Sequence, residues 1–521
     1  MKKFCFIVLA AVLTFCFAMS AEAVEFKIKG QWNFGFAIGE TSFMKNYRGK
    51  DGKSHKGYTN DSFAARQRLL LQLNAVASEN LEGALQLHIG PQDWGFAGRG
   101  GALGADGTMV KVRQAYIDWL IPNTGVRTRM GIQNFALPSV AGGSAVLDLR
   151  AAAINLHYDF NDNIGITGMW FRPYNDNFEG TKHRDNVDSH YLDNMDLFVL
   201  SLPVHLDGFE VTPWVMYGIR GKNTGKFDDY RNNDLMDGAP AVTLTPYLSA
   251  QSGGGGLNVT SDFNKTSKAY GSMFWAGLPI KVTALEPWNF ELDINYGYVE
   301  ELGRFDVVKR NNPNDTVRGS TLRQGWLIKA LVEYKMDWGT PGIFGWYSTG
   351  DDGNVKNGSE RMPGVAPYVY TTSFMGDGNL YWSPRADFQD KNVSLAGTWG
   401  IGLQLADMSF LEDLTHTFRV AWWGGTNSPS MVKYMKSAYS WDSTTGVFEG
   451  PYLTTNDGML EFNLVNVYKI YENLEANLEL GYVANYMDTG TWHRHWGKNN
   501  DFGSFSKSDI WKAHLIFTYR F

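Results

Sequence analysis

The chain has 521 residues, of which 14% are aromatic and 57 are glycine, and its formal net charge is −7 at pH 7. An acidic balance of this size argues against nucleic-acid binding. Beyond the N-terminal segment no stretch approaches the roughly 20 apolar residues of a membrane-spanning helix, so the sequence excludes a helical inner-membrane protein. The aromatic- and glycine-rich composition favours a large β-protein, in which Trp and Tyr suit the girdles of a membrane interface.

The N-terminal segment predicts export. Lys2 and Lys3 precede the apolar run FCFIVLAAVLTFCFAM, and small residues follow at Ala21 and Ala23. This order is typical of a secretory signal peptide, so we expect cleavage after Ala23 and one barrel domain over residues 24–521. An uncleaved membrane anchor is the alternative for this short run. Both cysteines lie in the same segment, so the exported domain has neither a disulfide nor a thiolate metal site.

A series of strands begins directly after the signal. In VEFKIKGQWNFGFAI, apolar residues such as Phe26 and Ile28 occupy alternate positions, and charged or amide residues fill most positions between them. RQRLLLQLNAVASENLEGALQLHIG repeats the pattern on both sides of a turn at residues 78–80, and it returns near residues 288–298 and 474–482. A period of two predicts β-strands with one apolar face.

The connections between predicted strands alternate between short and long. Short turns fall near residues 78–80, 122–125, 161–163, 207–208, 283–287, 336–340, 407–412 and 471–473. Long connections fall near residues 39–62, 91–109, 135–150, 173–193, 220–267, 301–321, 349–390, 424–457 and 486–508. This pattern predicts an all-β protein, a transmembrane antiparallel β-barrel of about 18 strands, with short periplasmic turns and long extracellular loops. A barrel of 16 strands is the alternative.

The final segment, DIWKAHLIFTYRF, predicts the strand that closes the barrel. Phe517, Tyr519 and Phe521 share one apolar face up to the last residue. A barrel has no free edge only if its last strand pairs with its first, so this face must be lipid-facing to its end. The same three residues resemble the C-terminal signal by which outer-membrane insertion machinery selects its clients. A strand of a soluble β-sandwich is the alternative.

Three parts of the sequence carry a family resemblance: ARQRLLLQLNAVASENLEGALQLHIG, then VRQAYIDWL followed by a short turn and RTRMGIQNFALP, and the terminal Phe521. In this order and at this length they resemble the general trimeric porins of outer membranes, most closely the porin group of sulfate-reducing bacteria. The resemblance implies a homotrimer in the bacterial outer membrane, in contact with its lipid and inserted by the insertion machinery. It also implies a water-filled channel in each subunit, narrowed by the third long loop, residues 135–150. This loop carries one acid, Asp148, beside Arg150.

Strand phase predicts which charges line such a channel. With Leu69, Leu71 and Leu73 outward, Arg66 and Arg68 point inward, and the same reasoning applies to Arg127 and Arg129. Charge rings lining a pore set its ion preference, so these arginines form a candidate basic wall. The alternatives are that they balance carboxylates such as Glu82 or lie near a rim in bulk solvent.

The later strands predict an acidic wall opposite the arginines. The residues predicted to face inward are Glu291, Asp293, Glu475 and Glu479. Basic early strands that face acidic late strands would give a laterally polarised lumen with weak net selectivity. Arg113 and Asp118 lie in opposite phases of VRQAYIDWL, and the sequence does not decide which of them faces inward.

The sequence contains no constellation that predicts catalysis, a cofactor or a metal site. It has no GxSxG, HExxH or phosphate-loop motif. The strongest oxygen-rich turn is STGDDGN, for which an ordinary turn is favoured over Ca²⁺ binding. The loop histidines are His183, His190, His493 and His495. We therefore predict a non-enzymatic porin that passes small hydrophilic solutes and ions by passive diffusion.

Two other functions remain open. A substrate-specific channel would place aromatic residues along the lumen, and Trp214, Trp423 and Phe171 fall in the inward phase, although scattered along the sequence. A structural or adhesive outer-membrane barrel would have no channel at all. Conductance separates these functions, because only the channels conduct.

Overall fold

The structure is a computed structural model. It describes residues 24–40, 44–48, 54–56, 63–104, 110–175, 194–221, 268–309, 312–369, 371–374, 395–435, 452–496 and 506–521. The predicted signal segment and the loop histidines His183 and His190 lie outside these ranges. Among the residues described, no helix combines the length and apolar character needed to cross a membrane.

Eighteen antiparallel strands pair in chain order, and the last pairs with the first, so the sheet closes into a barrel. They are β1 (Glu25–Glu40), β2 (Ala64–Ser78), β3 (Leu81–Asp93), β4 (Val110–Leu120), β5 (Arg127–Ala136), β6 (Asp148–Asn161), β7 (Ile164–Asn175), β8 (Asn194–Ser201, continued by Val204–Leu206), β9 (Phe209–Val211, continued by Trp214–Gly221), β10 (Tyr270–Val282), β11 (Trp288–Val299), β12 (Arg323–Tyr334), β13 (Thr340–Ser348), β14 (Thr398–Leu411), β15 (Leu414–Gly425), β16 (Gly458–Tyr471), β17 (Leu474–Asn485) and β18 (Ile510–Arg520). The predicted all-β antiparallel barrel is confirmed, with 18 strands rather than 16.

The connections follow the predicted alternation. Turns of a few residues join β2 to β3, β4 to β5 and each later pair at one rim, whereas the other rim carries the long connections. One of the short turns contains Gly208 at φ +69°, a left-handed conformation that favours glycine. The two rims of the barrel therefore differ in how much chain they carry.

The closing seam joins β1 to β18 through the last residue of the chain. Trp32 lies opposite Tyr519 and Phe34 opposite Phe517. Beyond them the Gly30 amide donates to the Phe521 carbonyl at 2.8 Å, and the Phe521 amide donates back to the Gly30 carbonyl at 3.1 Å. The Phe521 ring lies directly over Gly30, where a side chain would overlap it. A glycine in β1 thus makes room for the terminal aromatic residue.

The two faces of the sheet differ in chemistry as the alternation predicts. Large apolar side chains such as Ile401 and Leu403 are exposed on the outward face, whereas Asn33, Asn295 and Thr518 are buried on the inward face. An outward apolar band is stable only when lipid or another apolar surface covers it. The polar face encloses the lumen.

Parts of the long connections fold into the barrel and build a packed interior. Their buried side chains include Tyr452, Phe374 and Trp492, which join the inward-facing Trp275 and Trp423 of the wall in one apolar cluster. Short elements in these connections include the paired strands Arg304–Lys309 and Asn312–Ser320, the paired strands Gly143–Ser144 and Tyr368–Val369, and the helix Thr489–Trp496. The barrel is therefore partly filled on its long-loop side by its own connections.

Candidate functional site

The lumen wall formed by β2 and β3 carries the first arginine pair. Arg66 Nε lies 2.5 Å from Asp93 Oδ1, and both side chains are about a quarter exposed. Arg68 Nε lies 3.4 Å from Asn33 Oδ1, and Asn33 donates to Thr518 Oγ1 across the closing seam at 3.0 Å. Both arginines thus occupy the inward phase. Their effect on ion selectivity stays a prediction.

The second arginine pair, on β5, converges on one carboxylate of β4. Arg129 donates to Asp118 Oδ2 through Nε at 3.1 Å and Nη2 at 2.6 Å, and Arg127 Nη1 lies 3.5 Å from Asp118 Oδ1. The Arg129 guanidinium also lies 4.4 Å from the centre of the Tyr116 ring. The arginine side chains are 52% and 39% exposed. Because Arg127 and Arg129 share the single carboxylate of Asp118, this part of the wall carries a net positive charge. The exposure of the two arginines keeps that charge in contact with water.

A bulge in β4 answers the question that the sequence left open about Arg113 and Asp118. Gln114 pairs with Gln86, but Val112 already pairs with Leu87, so Arg113 is an extra residue in the ladder. Such a bulge shifts the alternation by one position. Arg113 consequently reaches His88 on the lumen side, 3.5 Å from its ring nitrogen, while Asp118 also faces the lumen.

The connection between β5 and β6 folds inward and is held against the far wall. We call residues 137–147 the inward loop. The Ala141 amide donates to Glu291 Oε2 at 2.8 Å, and Trp214 Nε1 donates to the Pro138 carbonyl at 3.0 Å. Lys329 Nζ donates to the carbonyls of Val140, at 2.9 Å, and of Gly143. Wall groups from three strands therefore fix the course of this loop through the lumen.

Lys329 carries this anchor together with Asp293. The two residues are opposite one another on β12 and β11, their charged atoms are 3.0 Å apart, and neither side chain is exposed. A buried ion pair is stable only when further hydrogen bonds satisfy its remaining atoms. The loop carbonyls supply them for Lys329, and the Asn295 amide donates to Asp293 at 3.0 Å. The carbonyls of the inward loop thus satisfy the buried ammonium group of Lys329, and Lys329 anchors the loop to the wall.

The other two residues predicted for the constriction occupy a different place. Asp148 pairs with Ala136 and Arg150 with Asn134 at the start of β6. Both belong to the phase of the exposed Leu156, whereas the intervening Leu149 packs towards the interior. Strand alternation therefore gives Asp148 and Arg150 the outward side of β6 rather than the lumen.

A second inward segment crosses the barrel. It comprises residues 359–369 and 371–374, and we call it the cross-lumen segment. Its first part is held by Arg323 of β12, which donates to the Arg361 and Met362 carbonyls at 2.8 and 2.9 Å. Trp275 of β10 donates to the Pro363 carbonyl at 2.9 Å.

The middle of the cross-lumen segment pairs with the inward loop. Tyr368 lies opposite Ser144 in a short antiparallel ladder, and the amides of Val365 and Ala366 donate to the Val146 carbonyl at 2.8 and 3.0 Å. The two connections therefore form a single structure inside the lumen.

The end of the cross-lumen segment reaches the late strands. Phe374 N donates to Glu461 Oε1 at 2.9 Å and Thr372 Oγ1 donates to Glu461 Oε2 at 2.8 Å. Ser373 Oγ donates to Glu479, and Lys512 Nζ donates to the Ser373 carbonyl. The predicted acidic wall is therefore covered here by loop chain, whereas Glu475 stays partly exposed beside Arg520 at 2.8 Å.

The three inward-phase aromatic residues are buried rather than arranged along an open path. Trp214 contacts the inward loop, Trp423 donates to Glu461 Oε2 at 2.8 Å, and Phe171 packs against Phe135. Each is at most 2% exposed. In the part of the chain that the structure describes, they support the inward connections.

The STGDDGN turn gathers carboxylates at the root of the cross-lumen segment. Asp351 accepts from Ser359 at 2.6 Å and from Tyr452 at 2.7 Å, and the Asn357 amide donates to both Asp352 and Glu360, at 2.9 and 3.0 Å. Burial, with the nearby charges of Asp351 and Asp352, raises the pKa of Glu360 to about 7.

Metal ligation is the other role that the sequence raised for this turn and for the histidines. Within the described ranges, no group of three or more His, Cys, Asp or Glu side chains is arranged to hold a metal ion. His493 and His495 lie in the helix Thr489–Trp496.

Lys329 and the cross-lumen segment were missed in the sequence analysis, for different reasons. Lys329 lies in the inward phase of GWLIKALVEY. A single cation in an otherwise apolar strand could have indicated a buried ion pair or an anchor for a loop. The cross-lumen segment is interrupted by Pro363, Gly364 and Pro367 and has no strand or helix periodicity, and only the length of its connection set it apart.

Comparison with known proteins identifies no family. No family model matches the chain, and no curated protein matches it. Among solved structures, Pseudomonas aeruginosa OccK3 (OpdO) aligns at 11% identity over 96% of this chain and 97% of its own, with a TM-score of 0.46. Acinetobacter baumannii OccAB2 aligns at 10% identity over 95% and 98%, with a TM-score of 0.45. Likeness at this level leaves the function to be argued from the barrel itself.

Proposed function

We propose that this chain is an outer-membrane porin that passes small hydrophilic solutes and ions by passive diffusion. The observation that carries the proposal is a closed barrel of 18 strands with an apolar outer face and a polar, charged inner face. Barrels of 16 to 18 strands are wide enough to leave an aqueous channel. Their closure leaves no unpaired edge in lipid.

In this proposal the lumen is narrowed from one side and charged on the other. The inward loop, held by Lys329 and Glu291, reduces the open cross-section. Arg66 and Arg68, together with Arg127 and Arg129, line the remaining wall and bias it towards anions, because fixed charges along a pore set its ion preference. The pore requires no cofactor, metal or catalytic group.

The proposal extends to assembly. Residues 1–23 act as a cleaved signal, and the insertion machinery reads Phe517, Tyr519 and Phe521 on the last strand. Lipid covers the outward face, with short turns in the periplasm and long loops outside. The active form is a homotrimer, which chemical cross-linking in detergent tests directly.

A substrate-specific channel is the second candidate. The observation that favours it is the presence of two connected inward segments rather than one, since a narrower lumen discriminates between solutes more strongly. Its distinguishing property is saturation, because a solute that binds in the lumen blocks ion current in proportion to its occupancy.

The test is single-channel conductance of refolded residues 24–521 in a planar bilayer, with a salt gradient to measure selectivity. Stepwise openings from protein that shows a heat-dependent shift on a gel are the expected result. Silence from folded, inserted protein would overturn the porin and favour a structural or adhesive barrel. Current that saturates or is blocked by one solute would favour the second candidate.

A further inference from the structure

The cross-lumen segment spans nearly the full width of the barrel. It is held at one end by Trp275 of β10 and at the other by Lys512 of β18. These strands are eight positions apart in a ring of 18, close to the largest separation that the ring allows. A chain fixed at both of these points must divide the lumen, whatever course the remaining loops take.

The far end is held by buried charge. Glu461 and Glu479 have no exposed surface and Lys512 is 2% exposed. Lys512 Nζ lies 3.8 Å from Glu479 Oε1 and donates to the backbone of the segment. Phe374 completes the contact, with its ring centre 4.6 Å from Lys512 Nζ.

The strength of this attachment depends on the segment itself. Hydrogen bonds that end on an ionised group are about twice as strong as neutral ones. A buried carboxylate that loses its partners is strongly destabilised. The two carboxylates accept from Thr372, Ser373 and the Phe374 amide. The segment is therefore held in place by the buried carboxylates of the wall, and these carboxylates in turn depend on the segment for their hydrogen-bond donors.

We propose that the cross-lumen segment is a second constriction element of the pore, latched onto Glu461, Glu479 and Lys512. The inference rests on the proposed porin function and deepens it. The inward loop then narrows the lumen only together with its ladder partner at Tyr368 and Val369. The latch, rather than the inward loop alone, sets how much of the lumen conducts.

The first test places a charge on the segment. Both cysteines, Cys5 and Cys16, precede residue 24, so residues 24–521 contain no thiol. Thr371, half-buried in the segment, is replaced by Cys and treated with a negatively charged methanethiosulfonate during recording. If the segment bounds the path, each open channel loses current by about twofold, because lining groups and radius determine conduction. Lys356→Cys, at an exposed position earlier in the same connection, is the matched control and keeps its current.

The second test loosens the latch. Thr372→Val with Ser373→Ala removes two donors to the buried carboxylates while it preserves most of the side-chain volume. The expected result is a larger or fluctuating conductance. Thr491→Val is the control, because this buried Thr bonds to Asn456 and Asp488 instead, and its conductance stays at the wild-type value.

The outcomes separate the two proposals. Silence of the unmodified protein removes the porin function and this inference with it. A conducting protein whose Thr371→Cys variant is fully modified, by mass, without a change in current overturns the second constriction alone. If Thr371→Cys does not fold, Tyr368→Cys, also half-buried, takes its place in the same test.

Discussion

The charged side chains on two walls of the barrel differ in their exposure to water. On the wall formed by β2 to β5, the ion pairs of Arg66, Arg127 and Arg129 keep contact with water, at side-chain exposures of 24%, 52% and 39%. On the wall formed by β11, β12 and β16 to β18, Asp293 and Glu479 are fully buried under inward chain. All these groups occupy the same inward phase of their strands. The phase assigns a side chain to the lumen, but the loops decide whether it meets water.

The difference changes the expected field in the lumen. Exposed charges act on passing ions, although salt screens them. Charges that are buried and paired, such as Asp293 with Lys329, act on the loop that covers them and contribute little to the field along the path. The polarised lumen expected from the sequence becomes a basic wall that faces loop chain, with Glu475 as a partly exposed acid beside Arg520.

The strongest test of the buried wall is Lys329→Met. The change leaves Asp293 without its cation and the Val140 and Gly143 carbonyls without their donor, and breaking a buried pair costs about 3–5 kcal/mol. We expect a large drop in the temperature of the heat-dependent gel shift and a larger conductance as the inward loop is released.

Two comparison variants separate the roles of Lys329. In Lys329→Met with Asp293→Asn, the uncompensated charge is gone but the loop is still unanchored, so stability should recover while conductance stays high. Arg520→Gln breaks the partly exposed pair with Glu475 and should cost no more than about 1 kcal/mol. Equal losses in Lys329→Met and Arg520→Gln would contradict the contrast between the walls.

The exposed wall is tested by ion selectivity. Arg66→Gln with Arg127→Gln, the replacement of two water-contacting arginines, should shift the reversal potential in a salt gradient towards cations, and Asp93→Asn should shift it towards anions. A unit charge acts with about 1 kcal/mol at about 4 Å in water, so the permeability ratio should change by a factor of about five or less, and by less still at high salt. Shifts of the same sign in the two variants would show that neither group faces the path.

The sequence could predict the barrel because alternation and connection length are local properties. Leu85, Leu87 and Ile89 identify a strand face without any knowledge of its neighbours. The bulge at Arg113 could not be predicted this way, because an extra residue is defined only by pairing with β3. The cross-lumen segment lies further beyond reach, since Phe374 meets a carboxylate 87 residues away in the chain.

The smallest expected effect is at Glu360, in the root of the cross-lumen segment. Its folded pKa of about 7 exceeds the ordinary value of 4.5 because of burial and the charges of Asp351 and Asp352. For an acid with a raised pKa, the stabilising contribution of that one group is fully present below pH 4.5 and is lost as the pH rises through 7. Hydrogen exchange of residues 351–360, corrected for intrinsic rates, should therefore rise across this window. Glu360→Gln should flatten the rise, because an amide carries no charge at either end of it. An unchanged pH profile of exchange in this variant would assign the pH dependence to another group. If the variant loses the profile and the conductance does not depend on pH, the titration of Glu360 affects only the root of the segment. The latch at Glu461 and Glu479 then remains the element that controls the lumen.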